Sequence, residues 1–402
     1  MQKKLALLLV LALTLSLAGC GQVSTGLLAG VEPSEAGDAA DAAAVAAEFT
    51  SQLFAEVYDG TDTLISPVSV LAVLVMAEAG ARGETLAQME AALGADAETL
   101  RASLAAYMSS LEGTAAKAAN SIWFRDDGTF EPDGEFLADC ASFAGSDIFA
   151  RQFDDGTRRE MNSWVKGKTD GMIPEAVKKL PEDTAMCLVN ALCFDSAWED
   201  KYERREVYDE IFHSADGDKT VEMLHSEERY FLSGDGFTGF MKPYEGGRYA
   251  FAALLPDEGS SLDTLAASLS GDMLTATLAN AKSTPVQTAT PSFTGRCDME
   301  LDGALRALGM EDAFDMHSAD FTGMGRSSLG SIYISTVLHS AYIELDAHGT
   351  RAAAVSIGIT GDGAAPPTEP KRVILDRPFL YMVVDTQYSI PLFIGAVTGA
   401  GL

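Results

Sequence analysis

The chain has 402 residues, with 28 Lys plus Arg against 59 Asp plus Glu and a formal net charge of −31. Its 47% hydrophobic content separates it from disordered acidic tails, and its length suits two to three domains or one large one. A surface this negative repels phosphate, and no Lys/Arg-rich run with interleaved aromatics interrupts it, so nucleic acid is excluded as a natural partner.

Lys3 and Lys4 precede an apolar stretch from Leu5 to Gly19, which is shorter than the roughly 20 residues a spanning helix needs. Residues 1–19 therefore read as a secretory signal peptide. The stretch ends Leu17-Ala18-Gly19-Cys20, which resembles the lipobox of bacterial lipoproteins, in which the cysteine is lipidated and becomes the first residue. The resemblance implies an exported protein, lipid-anchored at the bacterial cell surface or extracellular, that meets the membrane through Cys20. An ordinary signal peptide with an incidental cysteine is the alternative. Residues 20–38 are rich in Gly, Ser, Ala, Glu and Pro without apolar periodicity, as a flexible tether would be, which leaves 39–402 as the folded domain.

Val45, Phe49, Leu53, Phe54 and Val57 form one helical stripe. Ser66-Pro67 then supplies an N-cap hydroxyl and a proline at the first position of a second helix, which runs to Gly80. Leu86, Met89 and Leu93 mark a third, closed by Gly94. Met186 to Phe194 is an almost continuous apolar run, the form of a strand buried on both faces, and Tyr249 to Leu255 repeats it. Ile332 to Leu345 is rich in β-branched and aromatic residues, and Phe379 to Val384 with Pro391 to Val397 reads as a closing hairpin. Helices and strands mix without strict alternation, which predicts an α+β fold. Cys140, Cys187, Cys193 and Cys297 show no metal spacing and are expected as buried free thiols, and no cofactor is expected.

Catalytic motifs fail on spacing. No G-x-S-x-G elbow or H-E-x-x-H is present, and Gly167-Lys168-Thr169 lacks the first glycine of a phosphate loop because position 162 is Asn. Ser163 and Lys166 match S-x-x-K without its companion motifs, so a polar helix face with Trp164 buried is the simpler reading and a serine hydrolase the remote one. The segment from His348 to Pro367 is dominated by small residues for nearly twenty positions, yet its first half holds strand formers. Such a segment is exposed in one state and fit to enter a crowded sheet in another.

Many ordered matches then point one way. Leu64-Ile-Ser-Pro-Val-Ser-Val70, Gly80-Ala-Arg-Gly-Glu-Thr85, Ala119-Asn-Ser-Ile-Trp123, Asn162-Ser-Trp-Val165, Leu188-Val-Asn-Ala191 with Phe194 and Trp198, and above all Val373-Ile-Leu-Asp-Arg-Pro-Phe-Leu-Tyr-Met-Val383 resemble the serpins, over nearly the whole chain after residue 38. The resemblance implies three β-sheets, eight or nine helices and an exposed reactive-centre loop. It implies a monomer that is not an enzyme but a suicide-substrate inhibitor, whose cleaved loop inserts into the main sheet while a serine protease is still held as an acyl-enzyme. Ser66, Ser69, Asn190 and His339 resemble the polar cluster beneath the parting strands, and Trp198 the tryptophan where insertion begins. Gly349, Thr350, Arg351, Ala352, Ala353 and Ala354 resemble the hinge of inhibitory members. Alternation turns Thr350, Ala352 and Ala354 inward and Arg351 outward.

Two departures accompany the match: Ala347 stands where the family has glutamate, and Val355, Ile357 and Ile359 face outward. The scissile bond is Gly363-Ala364 or Ala364-Ala365, since proline blocks cleavage before Pro366. Small residues there suit an elastase-like or subtilisin-like protease, and the lack of Arg or Lys between Arg351 and Lys371 disfavours trypsin-like ones. A non-inhibitory serpin, acting as a plain substrate or a binding protein, is the alternative.

Overall fold

The structure is a computed structural model and describes residues 26–34, 37–126, 130–143, 146–180, 185–328, 330–350 and 371–399. Nine α-helices occur among the described residues: α1 (Ala43–Val57), α2 (Pro67–Glu78), α3 (Gly83–Leu93), α4 (Ala97–Ser110), α5 (Gly134–Ala141), α6 (Asp155–Lys168), α7 (Leu262–Ala267), α8 (Gly271–Ala279) and α9 (Asp302–Ala307). The strands are β1 (Thr63–Ile65), β2 (Ala116–Arg125), β3 (Glu131–Pro132), β4 (Asp147–Arg151), β5 (Met186–Phe194), β6 (Ser196–Ala197), β7 (Val207–Ser214), β8 (Gly217–Gly234), β9 (Phe237–Pro243) and β10 (Tyr249–Pro256). They continue as β11 (Lys282–Pro291), β12 (Phe293–Glu300), β13 (Gly325–Arg326), β14 (Ile334–Leu345), β15 (Gly349–Thr350), β16 (Lys371–Ile374), β17 (Phe379–Asp385) and β18 (Ile390–Val397).

The strands form three sheets, as expected. The main sheet runs β4-β2-β5-β14-β15-β6, with β12 paired to β14. A nine-stranded sheet runs β1-β18-β17-β10-β9-β8-β11-β16, with β7 on β8, and β3 pairs with β13. Strand β8 is long enough to serve two neighbourhoods: its first half pairs with β7 and its last residues with β9.

The two-face burial expected of 186–194 is observed, and its cause is visible in the side-chain alternation. Cys187, Val189 and Ala191 join Trp123, Phe149, Met161, Val165 and Val177 in a cluster under α6. Met186, Leu188, Leu192 and Phe194 face the larger core on the other side. Helix α2 runs through that core with all twelve residues buried, which explains why it lacks a polar face. Gly80 follows it because a Cβ there would lie 2.0 Å from Met324 Cγ. Gly94 ends α3 at φ +78° as its left-handed cap.

Three local expectations need correction. Ser66 stands at the N-cap of α2 with Pro67 behind it, but its hydroxyl makes no capping bond and is buried without a partner among the described residues. Trp164 is half-buried rather than buried, while Ser163 and Lys166 are both exposed on α6. The segment read as a free tether touches the body where it is described. Leu27 N–H donates to Ile148 O, Ser34 Oγ to Asp139, and Gly37 N–H to Ala102 O, because Leu27 and Leu28 have apolar surface to cover.

All four described cysteines are free and buried. Burial pushes Cys297 up to about 12 and Cys140 and Cys187 upward too, so little nucleophilic thiolate is present. A thiol-reactive chromophore is expected to label none of the four in the native protein within minutes and all four in denaturant, counted by absorbance.

Candidate functional site

The centre of the main sheet is a parallel pair. Strands β5 and β14 run together from Met186↔Ile334 to Cys193↔Tyr342. A parallel ladder is slightly weaker per residue than an antiparallel one. A new strand entering between these two and antiparallel to both replaces one weaker ladder by two stronger ones.

Beneath this seam lies a row of polar side chains that the register brings into line: Asn120 on β2 opposes Asn190 on β5, which opposes His339 on β14. The Asn190 amide donates at 2.6 Å to Asn120 Oδ1 and to the Ser69 carbonyl. Its Oδ1 accepts from Ser69 Oγ at 2.9 Å and meets His339 Nδ1 at 2.6 Å. His339 Nε2 accepts the Ser66 N–H at 3.1 Å. That set of partners requires a neutral imidazole with its proton on Nδ1. Ser66, Ser69, Asn190 and His339 are thus brought together, with Ser66 contributing its backbone rather than its hydroxyl. Asn120 was not singled out by sequence reasoning. It lies in the stretch Ala119-Asn-Ser-Ile-Trp123 that carried the family resemblance, but its partner was set by strand register.

Burial holds His339 at about 3, against an ordinary 6.5, with the Asp298 charge opposing. The unfolded chain takes up this proton below pH 6.5 and the folded chain only near 3, so the histidine's contribution to stability is full above 6.5 and is lost as pH falls. Glu78, at the end of α2, has the opposite sign. Both of its carboxylate oxygens are buried without partners among the described residues. Burial, with Glu90 adding, raises it from 4.5 to about 8, so stability is lost as pH rises through that interval. The two slopes cancel between pH 4.5 and 6.5. The urea midpoint is expected to form a plateau there and to fall on both sides, by about 1.4 kcal/mol per pH unit for each group. His339→Gln flattens the acid side and Glu78→Gln the alkaline side; a midpoint climbing steadily through the plateau overturns one assignment.

At the top of the seam the chain leaving β14 turns back at once. Asp346 Oδ1 accepts from the N–H groups of His348 and Gly349, and Asp346 N–H donates to Gly349 O. Gly349 and Thr350 then run antiparallel between β14 and β6, with Leu345↔Thr350 on one side and Ala197↔Gly349 on the other. Only glycine fits at 349, since a Cβ would stand 2.2 Å from Ser196 O and 2.6 Å from Ala197 Cα. Thr350 is fully buried, and its hydroxyl is 2.6 Å from Tyr244 Oη. Gly349 and Thr350, expected in the hinge, therefore lie inside the main sheet, a difference from the expectation that places the whole loop outside it.

Trp198 closes this end. Its indole N–H donates to Asp346 O at 2.9 Å and its ring stacks on Tyr244 at 4.4 Å. Lys242 Nζ sits over Tyr202 at 4.4 Å and pairs with Glu228 at 2.8 Å, both side chains almost wholly buried. Tyr244, Lys242 and Glu228 were missed by sequence reasoning because nothing local distinguishes them from ordinary strand residues. Arg351, Ala352, Ala353, Ala354, Gly363, Ala364, Ala365 and Cys20 lie outside the described residues.

The serpin (serine protease inhibitor) family matches residues 44–399. The chain is a serpin. The native-state crystal structure of the thermophilic serpin tengpin superposes with a TM-score of 0.87 at 36% identity, covering 93% of this chain and 99% of that one. The latent state of the same protein gives 0.78 over 90% of this chain and 99% of that one, at 34% identity. Among curated relatives, leukocyte elastase inhibitor A of Rattus norvegicus is 28% identical over 87% of this chain and 97% of its own length. Serpin-Z2B of Triticum aestivum is 31% identical over 83% and 88%. As a serpin, the chain belongs to a family of serine protease inhibitors.

Proposed function

We propose that this serpin is a suicide-substrate inhibitor of an elastase-like or subtilisin-like serine protease, held at a bacterial cell surface through lipidated Cys20. The observation that carries the reading is the seating of Gly349 and Thr350 between β14 and β6, uncharged and already antiparallel to both neighbours. The protease serine attacks the carbonyl of Gly363 or Ala364, forms an ester and releases the amine of the next residue. The freed loop then continues the path begun at Thr350, parting β5 from β14 and forming two antiparallel ladders before water reaches the ester. Small residues at the cut and the likeness to proteins named leukocyte elastase inhibitors support the protease class.

The test is incubation of the chain from Gly21 with neutrophil elastase, pancreatic elastase, subtilisin, chymotrypsin and trypsin, followed by denaturing gels and sequencing of the released peptide. A band at the summed mass that survives boiling in detergent is expected with the first three. Loop cleavage with fully active protease at every ratio sinks the inhibitor reading in favour of a non-inhibitory serpin. Incorporation of labelled palmitate in a bacterial host, lost in Cys20→Ala, tests the anchor.

A further inference from the structure

A cavity of about 310 Å³ lies between the two large sheets, walled by Leu64 of β1, Phe293, Thr294 and Gly295 of β12, Tyr381 of β17 and Val397 of β18. It is separate from the hinge and from the polar row. Most of its wall is apolar, but Tyr381 lines it with a hydroxyl that has no hydrogen-bond partner among the described residues, although the residue is only 1% exposed. Its hydroxyl is therefore available to hydrogen-bond a molecule inside the cavity. Two glycines make room for the phenol rather than for one another. A Cβ on Gly295 would lie 2.9 Å from its oxygen, and one on Gly395 would lie 2.5 Å from it. The ring is fixed in place by Phe293 at 4.8 Å and Phe251 at 6.1 Å, so the hydroxyl presents one direction to the cavity.

We propose that this cavity is a binding site for a compact neutral molecule, one ring or two, with an oxygen that accepts a hydrogen bond from Tyr381. The volume sits at the lower end of the range for small-molecule sites and admits a single substituted ring comfortably. Neutrality follows from the rim. Asp62, with Oδ1 accepting from Thr398 and Gly399, and Arg296, tied through Nε to Asp298 at 2.9 Å, put one charge of each sign there, so neither an anion nor a cation is favoured. The contact expected is therefore one directional hydrogen bond inside an apolar shell, with β1, β12, β17 and β18 all contributing to the wall.

Fluorine NMR of para-fluoroacetophenone and para-fluoroethylbenzene, each titrated into the chain from Gly21, tests this. The two probes share size and shape, and only the first has the acceptor oxygen. The acceptor probe is expected to bind about five-fold more tightly to the natural chain, the factor one hydrogen bond provides. Tyr381→Phe should remove that difference while leaving the weaker probe unchanged. Thr294 is exposed at the mouth, so Thr294→Trp should block both probes without disturbing the core, and it keeps the test decisive where Tyr381→Phe fails to fold. Equal affinity of the two probes, binding that survives Thr294→Trp, or no binding of either up to its solubility limit overturns the proposal.

Discussion

On the proposed mechanism, replacing Thr350 by arginine is expected to turn the protein from an inhibitor into a substrate. The position is fully buried between β14 and β6, with its hydroxyl on Tyr244, and Lys242 is already the buried cation of this neighbourhood. A guanidinium placed there loses its water, gains no carboxylate, since Glu228 is paired with Lys242, and meets a like charge. The side chain must therefore stay outside, and the hinge with it. In the proposed mechanism trapping is a race between insertion and hydrolysis of the ester, and each 1.4 kcal/mol added to the insertion barrier slows it about ten-fold. The covalent band is expected to fall at least about ten-fold with Thr350→Arg, while loop cleavage continues at the rate of the natural chain. Thr350→Ser keeps the bond to Tyr244 and should inhibit nearly as well. A Thr350→Arg band of undiminished intensity would show that this residue does not enter the sheet.

The second large effect is expected at Asn190. Its side chain joins Asn120, Ser69 and His339, spanning three strands and α2. Asn190→Ala removes every one of these bonds and leaves Asn120, His339 and the Ser69 carbonyl facing a small hole. Several buried groups without partners cost about 3–5 kcal/mol together. The loss should appear as a lowered urea midpoint at pH 7, measured by tryptophan fluorescence, with no loss of loop cleavage by protease. Because the bond from Asn190 to His339 crosses the seam between β5 and β14, its removal also makes opening easier. The variant is expected to lose inhibitory capacity faster on warming, by passing to an inserted form without being cut. An unchanged midpoint would mean that the network contributes nothing net to the closed sheet.

The readings that succeeded from residues alone were those carried by local pattern. The almost continuous apolarity of 186–194 marked a strand buried on both faces, and Gly94 marked the end of α3. The reading of Ser66 as a capping hydroxyl failed although the residue sits at the N-cap position. A histidine 273 residues away takes its backbone N–H instead, and no local rule contains that distance. The serpin resemblance rested on ordered motifs, and it brought Ser66, Ser69, Asn190, Trp198 and His339 forward as a group before any distance was known.

What the sequence by itself determined is therefore the class of fold, the family, and the small uncharged residues at alternate positions from Thr350 to Ala354, because these reside in residue type and spacing. Only the tertiary structure decided that Gly349 and Thr350 are already within the sheet, that Asn120 completes the polar row, and that Tyr381 lines a cavity. Each of these depends on which strands lie side by side and in what register. Register is settled by the summed packing of two sheets around α2, an energy shared among many residues that no single stretch of sequence records.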